Sequence, residues 1–122
     1  MRGRAVVVAC DAPSAATLMA EQVPTDSRSA CCLYFAADRP PIEEPILILN
    51  GEGTGPINNL CVPSQVNTTY SPPNRSLVSV TVIEPFADDQ QLLQRVKAQL
   101  HEWFGADVEN WRHLRTYRIP FA

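Results

Sequence analysis

The sequence predicts an α+β fold, a mostly antiparallel sheet of about five strands packed against one long helix in the C-terminal half, with an extra strand–helix unit at the N-terminus. Three observations carry this. Short apolar stretches alternate with Pro- and Gly-rich turns over residues 30–83. Apolar residues recur at helical spacing over Asp89–Phe104. A continuous β-branched run, "RAVVVAC", opens the chain.

In chain order, Arg4–Cys10 reads as a strand covered on both faces. Asp11 and Pro13 then mark a helix start, with Asp11 free to accept from backbone N–H groups, and the helix should run to about Gln22. Thr25–Ser29 is polar connector. Ala30–Ala37, Pro45–Asn50, Asn58–Ser64 and Ser76–Ile83 follow as strands, and in the last of these Val78, Val80 and Val82 alternate with Ser79, Thr81 and Ile83, so that one face is meant for a core. Asp88 caps the helix Asp89–Phe104, with Gln91 as a capping-box partner and Gly105 as its stop. Leu92, Leu93, Val96, Leu100, Trp103 and Phe104 form its buried stripe. Asn110–Phe121 reads as a last strand, with Trp111, His113, Tyr117 and Ile119 on one side.

At 122 residues the chain fits one core. A net charge of -3 supplies no field for nucleic acid or anionic lipid. The runs "AVVVAC" and "ILIL" are too short to span a bilayer, which needs roughly 20 residues. "MRGR" does not read as the start of a secretory signal, so a cytoplasmic location is expected, and the sequons at Asn67 and Asn74 are read as chance. Cys31 and Cys32 are adjacent on a strand and so face opposite ways. No C-x-x-C spacing or third histidine completes a metal site beside His101 and His113, so the four cysteines are read as free, mostly buried thiols with no metal.

The stretch "NGEGTGPINNLCVPS" (Asn50–Ser64) raises the question of a phosphate loop. A dinucleotide loop is G-x-G-x-x-G opening a helix. Here Gly51, Gly53 and Gly55 stand at alternate positions, Pro56 follows, and the next residues read as a strand, so the loop is expected to be a hairpin whose glycines supply positive φ and close approach. Neither G-x-S-x-G nor H-E-x-x-H occurs. His101 reads as a solvated helix residue, and His113 lies beside Arg112 and Arg115 with no carboxylate evident to orient it. No catalytic residue is assigned. The pairs Glu43–Glu44 and Asp88–Asp89 suit solubility and capping.

Taken in order, "RAVVVACDAPSAATLM", "CCLYFAADRPP", "ILILNGEGTGPINNLCVPSQV", "YSPPNRSLVSVTVI", "LLQRVKAQLHEWFG" and "WRHLRTYRIPFA" resemble the middle-to-late part of flavin-containing amine oxidoreductases, the monoamine-oxidase-like and phytoene-desaturase-like FAD proteins, in particular a bacterial or cyanobacterial NAD(P)/FAD-dependent oxidoreductase branch. The resemblance covers essentially the whole chain. It implies that residues 1–24 are a strand–helix remnant of the FAD-binding domain and residues 25–122 a substrate-binding domain. By the same resemblance Val8, Ala9 and Cys10 would sit near FAD in a complete parent protein, and Asn58, Asn59 and Tyr117 would face the substrate cavity.

The departures from the family pattern carry their own expectation. The N-terminal G-x-G-x-x-G loop is missing, as is the Gly-Asp-containing segment that closes over the flavin. The dinucleotide fingerprint is what holds the pyrophosphate, so FAD is expected in the parent and no cofactor for this chain alone. The chain is thus expected to be the substrate-binding portion of an FAD-dependent oxidoreductase acting on a small molecule, with hydride transfer to flavin needing the rest. The alternative is a non-catalytic ligand-binding or self-association module. An unpaired strand Ala5–Cys10 should either join the sheet or pair between copies to give a homodimer.

Overall fold

The computed structural model describes residues 3–20, 28–83 and 88–120. Five strands, β1 (Ala30–Ala37), β2 (Leu47–Leu49), β3 (Ile57–Cys61), β4 (Ser76–Val82) and β5 (Arg112–Ile119), form one antiparallel sheet in the order β2-β3-β4-β1-β5. Three helices accompany it: α1 (Ala12–Met19), the single turn α2 (Pro63–Val66) and α3 (Asp89–Phe104).

The α+β expectation holds, and the alternation in the strands explains why. Cys31, Leu33, Phe35 and Ala37 of β1 and Val78, Val80 and Val82 of β4 are buried, while the residues between them are half-exposed. Leu92, Val96 and Leu100 of α3 join these valines and Phe35 in one core with Ile57, Leu60, Val62, Val108 and Trp111. Burying each of the larger of these side chains is worth about 1.5–3 kcal/mol. The helix begins as predicted, with Asp88 as its cap, although the Asp88 carboxylate accepts from Gln90 N–H at 2.9 Å rather than from Gln91. Gly105, at φ 76°, ends it.

Several local readings need correction. Arg4–Cys10 joins no strand ladder among the described residues, and Val6 and Val7 are 88% and 87% exposed. An apolar run becomes a strand only where a partner backbone satisfies its N–H and C=O groups, and no strand of the five-stranded sheet pairs with this one. α1 starts where Asp11 and Pro13 placed it, with Asp11 Oδ1 accepting from Ser14 N–H at 3.2 Å, but it ends at Met19 because Ala20 turns into the left-handed region at φ 54°. Gln22 and the 24/25 boundary lie outside the described residues. β3 stops at Cys61, since Pro63 starts α2 instead of continuing a ladder it has no N–H to join. Of the four thiols Cys31 is buried, Cys32 and Cys61 are half-buried and Cys10 is exposed.

The last strand also departs from a plain alternation. The β1–β5 register pairs Phe35 with His113 but Tyr34 with Arg115, so Leu114 is an extra residue. That bulge reverses the facing of everything beyond it. Trp111 and His113 therefore point to the core, where His113 packs 5.5 Å from the Phe35 ring, whereas Tyr117 lies on the opposite face beside Tyr34.

Candidate functional site

One face of the sheet is sealed by α3, and the other is open. Register defines what the open face carries. Leu49, Asn59, Thr81, Cys32 and Tyr117 are successive cross-strand partners and form one row through all five strands. Leu47, Cys61, Ser79, Tyr34 and Arg115 form the neighbouring row. With adjacent strands about 4.8 Å apart, each row is about 19 Å long, enough to floor a small-molecule cavity.

Two of the cavity candidates, Asn59 and Tyr117, are thus brought onto the same row. Asn58 is not. The β3–β4 register steps past it between Ile57 and Asn59, and it borders a small hollow of about 160 Å³ at the glycine loop instead. Val8, Ala9 and Cys10 are exposed and precede α1, outside the sheet.

At the β1–β5 end of the face the rings of Tyr34 and Tyr117 meet edge to face, 5.8 Å between centroids at 89°. The Arg115 guanidinium lies over the Tyr117 ring at 5.0 Å. A hollow of about 520 Å³ opens there, lined by Cys32, Tyr34, Leu77, Leu114 and Tyr117 among others. A second, of about 620 Å³, adjoins it along Ala36, Leu77 and Leu114 and extends to Tyr70 and Arg112. Both mix apolar walls with a few polar groups, the usual make-up of ligand sites.

Polar contacts on the face are modest. Cys32 Sγ is 3.9 Å from Thr81 Oγ1. Burial pushes the Cys61 thiol pKa up, opposed by a hydrogen bond with Ser79 and aided by nearby Cys32. A thiol held neutral in this way is a poor nucleophile at neutral pH. His113 Nε2 is 3.0 Å from Thr116 Oγ1, and His101 lies 3.6 Å from Glu109 on the helix side, so neither histidine belongs to the open face.

Tyr34, Arg112 and Arg115 were not singled out by sequence reasoning. The alternation of "ACCLYFAA" would have set Tyr34 opposite Phe35. The arginines were hidden by the bulge at Leu114, which depends on cross-strand pairing.

Two places among the described residues bear on phosphate binding, the glycine loop and the start of α1. The glycine loop is a hairpin between β2 and β3, as expected, with Gly53 at φ 67° and Gly55 at φ 72°. It leads into β3 and opens no helix, and side chains tie it in place: Gln99 Oε1 accepts from Ile57 N–H at 2.9 Å, Gln99 Nε2 donates to Thr54 O at 2.8 Å, and Asn50 Nδ2 donates to the Thr54 and Ile57 carbonyls at 2.7 Å each. At α1 the helix start is capped by the chain's own Asp11 carboxylate, which occupies the place an anion would take and repels one.

The family model for flavin containing amine oxidoreductases matches residues 1–122. Among solved structures, an oxidoreductase from Methanosarcina mazei matches with a TM-score of 0.62 at 18% identity, over 75% of this chain and 22% of its own. A protein from Pyrococcus furiosus matches with a TM-score of 0.60 at 12% identity, over 87% of this chain and 25% of its own. This chain therefore spans about a quarter of the length of these structures, and at such identities the likeness is one of fold. No curated protein gives a significant match.

Proposed function

The chain belongs to the flavin-containing amine oxidoreductases, and from that premise we propose that residues 25–122 are the substrate-binding portion of such an enzyme, with residues 1–24 belonging to its flavin-binding part. The observation that carries this is the asymmetry of the sheet. One face is packed by α3, while the other presents the row Asn59–Thr81–Cys32–Tyr117 and two adjoining hollows. In this reading the open face is a wall of the substrate cavity, and Asn59 and Tyr117 are its cavity-facing residues.

Flavin supplies hydride acceptance in this family. Two features support placing its dinucleotide portion elsewhere: the glycine loop runs into a strand and opens no helix, and the α1 start is capped by Asp11. On this reading FAD belongs to the parent enzyme, near Val8, Ala9 and Cys10 as the family resemblance implies, and this chain by itself holds none. Among the described residues no helix is long and apolar enough to cross a membrane. Four free cysteines support a reducing, cytoplasmic setting.

Chemical-shift mapping with uncharged aromatic probes, indole and 2-naphthamide, tests this. Shifts gathered at the amides of Asn59, Thr81, Cys32, Tyr34 and Tyr117 support the assignment, and shifts gathered on α3 contradict it. The exposure of Val6 and Val7 favours a second reading, self-association through Ala5–Cys10. Sedimentation velocity of the chain and of a Val6→Lys/Val7→Lys variant separates the two: a dimer lost in the variant supports self-association, and a monomer in both removes it.

A further inference from the structure

The open face carries positive charge that the fold does not use. Arg112 and Arg115 flank the bulged Leu114 on β5, Arg112 paired in register with Ala36 and Arg115 with Tyr34, both of the open face. Arg112 lines the larger hollow and Arg115 the smaller, and the two hollows share Leu77 and Leu114, so together they form one trough.

The other arginines bordering this trough are neutralised. Arg75 pairs with Asp38, and Arg118 with Asp89 across the sheet edge. Arg112 and Arg115 have no ion pair among the described residues, and no carboxylate lines either hollow. In a chain whose net charge is -3, two uncompensated guanidiniums in an acid-free trough are a local reversal of sign.

Arg115 also has a fixed neighbour. Its Cζ lies 5.0 Å from the centroid of the Tyr117 ring, a cation–π contact that leaves its charge undischarged. A guanidinium presents a fork of N–H donors that matches a carboxylate with two parallel hydrogen bonds. Beside it Tyr34, Leu77 and Leu114 offer an apolar floor. A bare ammonium ligand would meet two like charges here and no counter-charge.

Resting on the reading of this face as a cavity wall, we propose that the face binds a small carboxylic acid with a flat apolar body, the carboxylate on Arg115 and the body against Tyr34 and Leu77. Arg112 adds long-range attraction from the neighbouring hollow.

The test is a titration of the 122-residue chain with 2-naphthoate, 2-naphthamide and 2-naphthylmethylamine at low salt, followed by amide chemical shifts. The expected result is about tenfold tighter binding of 2-naphthoate than of the other two, the size of one charge-assisted bidentate contact. Arg115→Gln should abolish that preference, Arg115→Lys should keep part of it, and Arg112→Gln should keep most. Circular dichroism of the variants guards against loss of fold, and the wild-type preference stands as a test without them. Equal binding of the three probes at Tyr34 and Tyr117 would overturn the carboxylate assignment while leaving the cavity wall in place. Shifts absent from these residues with all probes would overturn both, and a preference unchanged in Arg115→Gln would overturn the role of Arg115.

Discussion

The Gln99 side-chain amide occupies the space that a Cβ on Gly55 would need. Such an atom would lie 2.4 Å from Gln99 Oε1 and 2.5 Å from Cδ. Gln99 is 95% buried on α3 (5% exposed), yet its function is to serve the hairpin, accepting from Ile57 N–H and donating to Thr54 O. Gly55→Ala combines this clash with a φ of 72° and should cost about 1–3 kcal/mol. Gln99→Ala orphans a buried N–H and should cost a similar amount, about 1–3 kcal/mol. In the double variant the clash disappears, so the two losses should fall short of additivity by at least about 0.5 kcal/mol in urea unfolding.

The two faces of β1 should respond very differently to truncation. Phe35 is fully buried between Trp111 and His113, so Phe35→Ala should lose about 3–5 kcal/mol. Tyr34 is its neighbour in sequence but touches Tyr117 on the open face, and Tyr34→Ala should lose about 1 kcal/mol. Urea denaturation followed by circular dichroism compares them. Equal losses would mean that the open face is as tightly packed as the core.

At the start of α3 two adjacent aspartates have separate tasks. Asp88 accepts from Gln90 N–H as the cap, and Asp88→Ala should cost about 1 kcal/mol. Asp89 forms an exposed ion pair with Arg118, whose Nε lies 2.9 Å from Asp89 Oδ1. Asp89→Asn should cost less than about 1 kcal/mol, and the loss should shrink in high salt while that of Asp88→Ala persists.

Cys61 gives a pH dependence with a definite sign. Burial raises its pKa, so the unfolded thiol ionises first as pH rises. The contribution of the neutral thiol to stability is complete below the unfolded pKa and is lost as pH climbs through the folded one. Iodoacetamide labelling of the Cys61 peptide, read by mass spectrometry, should accelerate at a higher pH in the folded chain than in urea. Coincident pH profiles would contradict the burial assigned to this thiol.

Much of the fold was legible because local signals agreed with one another. Val78, Val80 and Val82 alternate with polar residues, and Asp88, the apolar stripe and Gly105 bracket α3 to the residue. What was not legible depends on partners distant in sequence. The Leu114 bulge exists only in the pairing of β5 with β1, and it moved Tyr117 to the face opposite His113. Gln99 sits within an apolar helix stripe as a polar exception, and its role appears once the hairpin closes over it. "RAVVVAC" has the composition of a strand, but composition cannot supply the neighbouring backbone that makes one. Of the cavity candidates, Asn59 and Tyr117 share a row for reasons of register that the sequence alone does not contain.

The division of labour proposed above, a ligand wall in this chain and the cofactor cradle elsewhere in the enzyme, is tested most directly by an absorbance spectrum. The purified chain is incubated with excess FAD and freed of unbound cofactor. A colourless protein is the predicted result, since the glycine loop opens no helix and the α1 start is capped by the chain's own Asp11. A retained flavin band would contradict it and place a cofactor site within this chain.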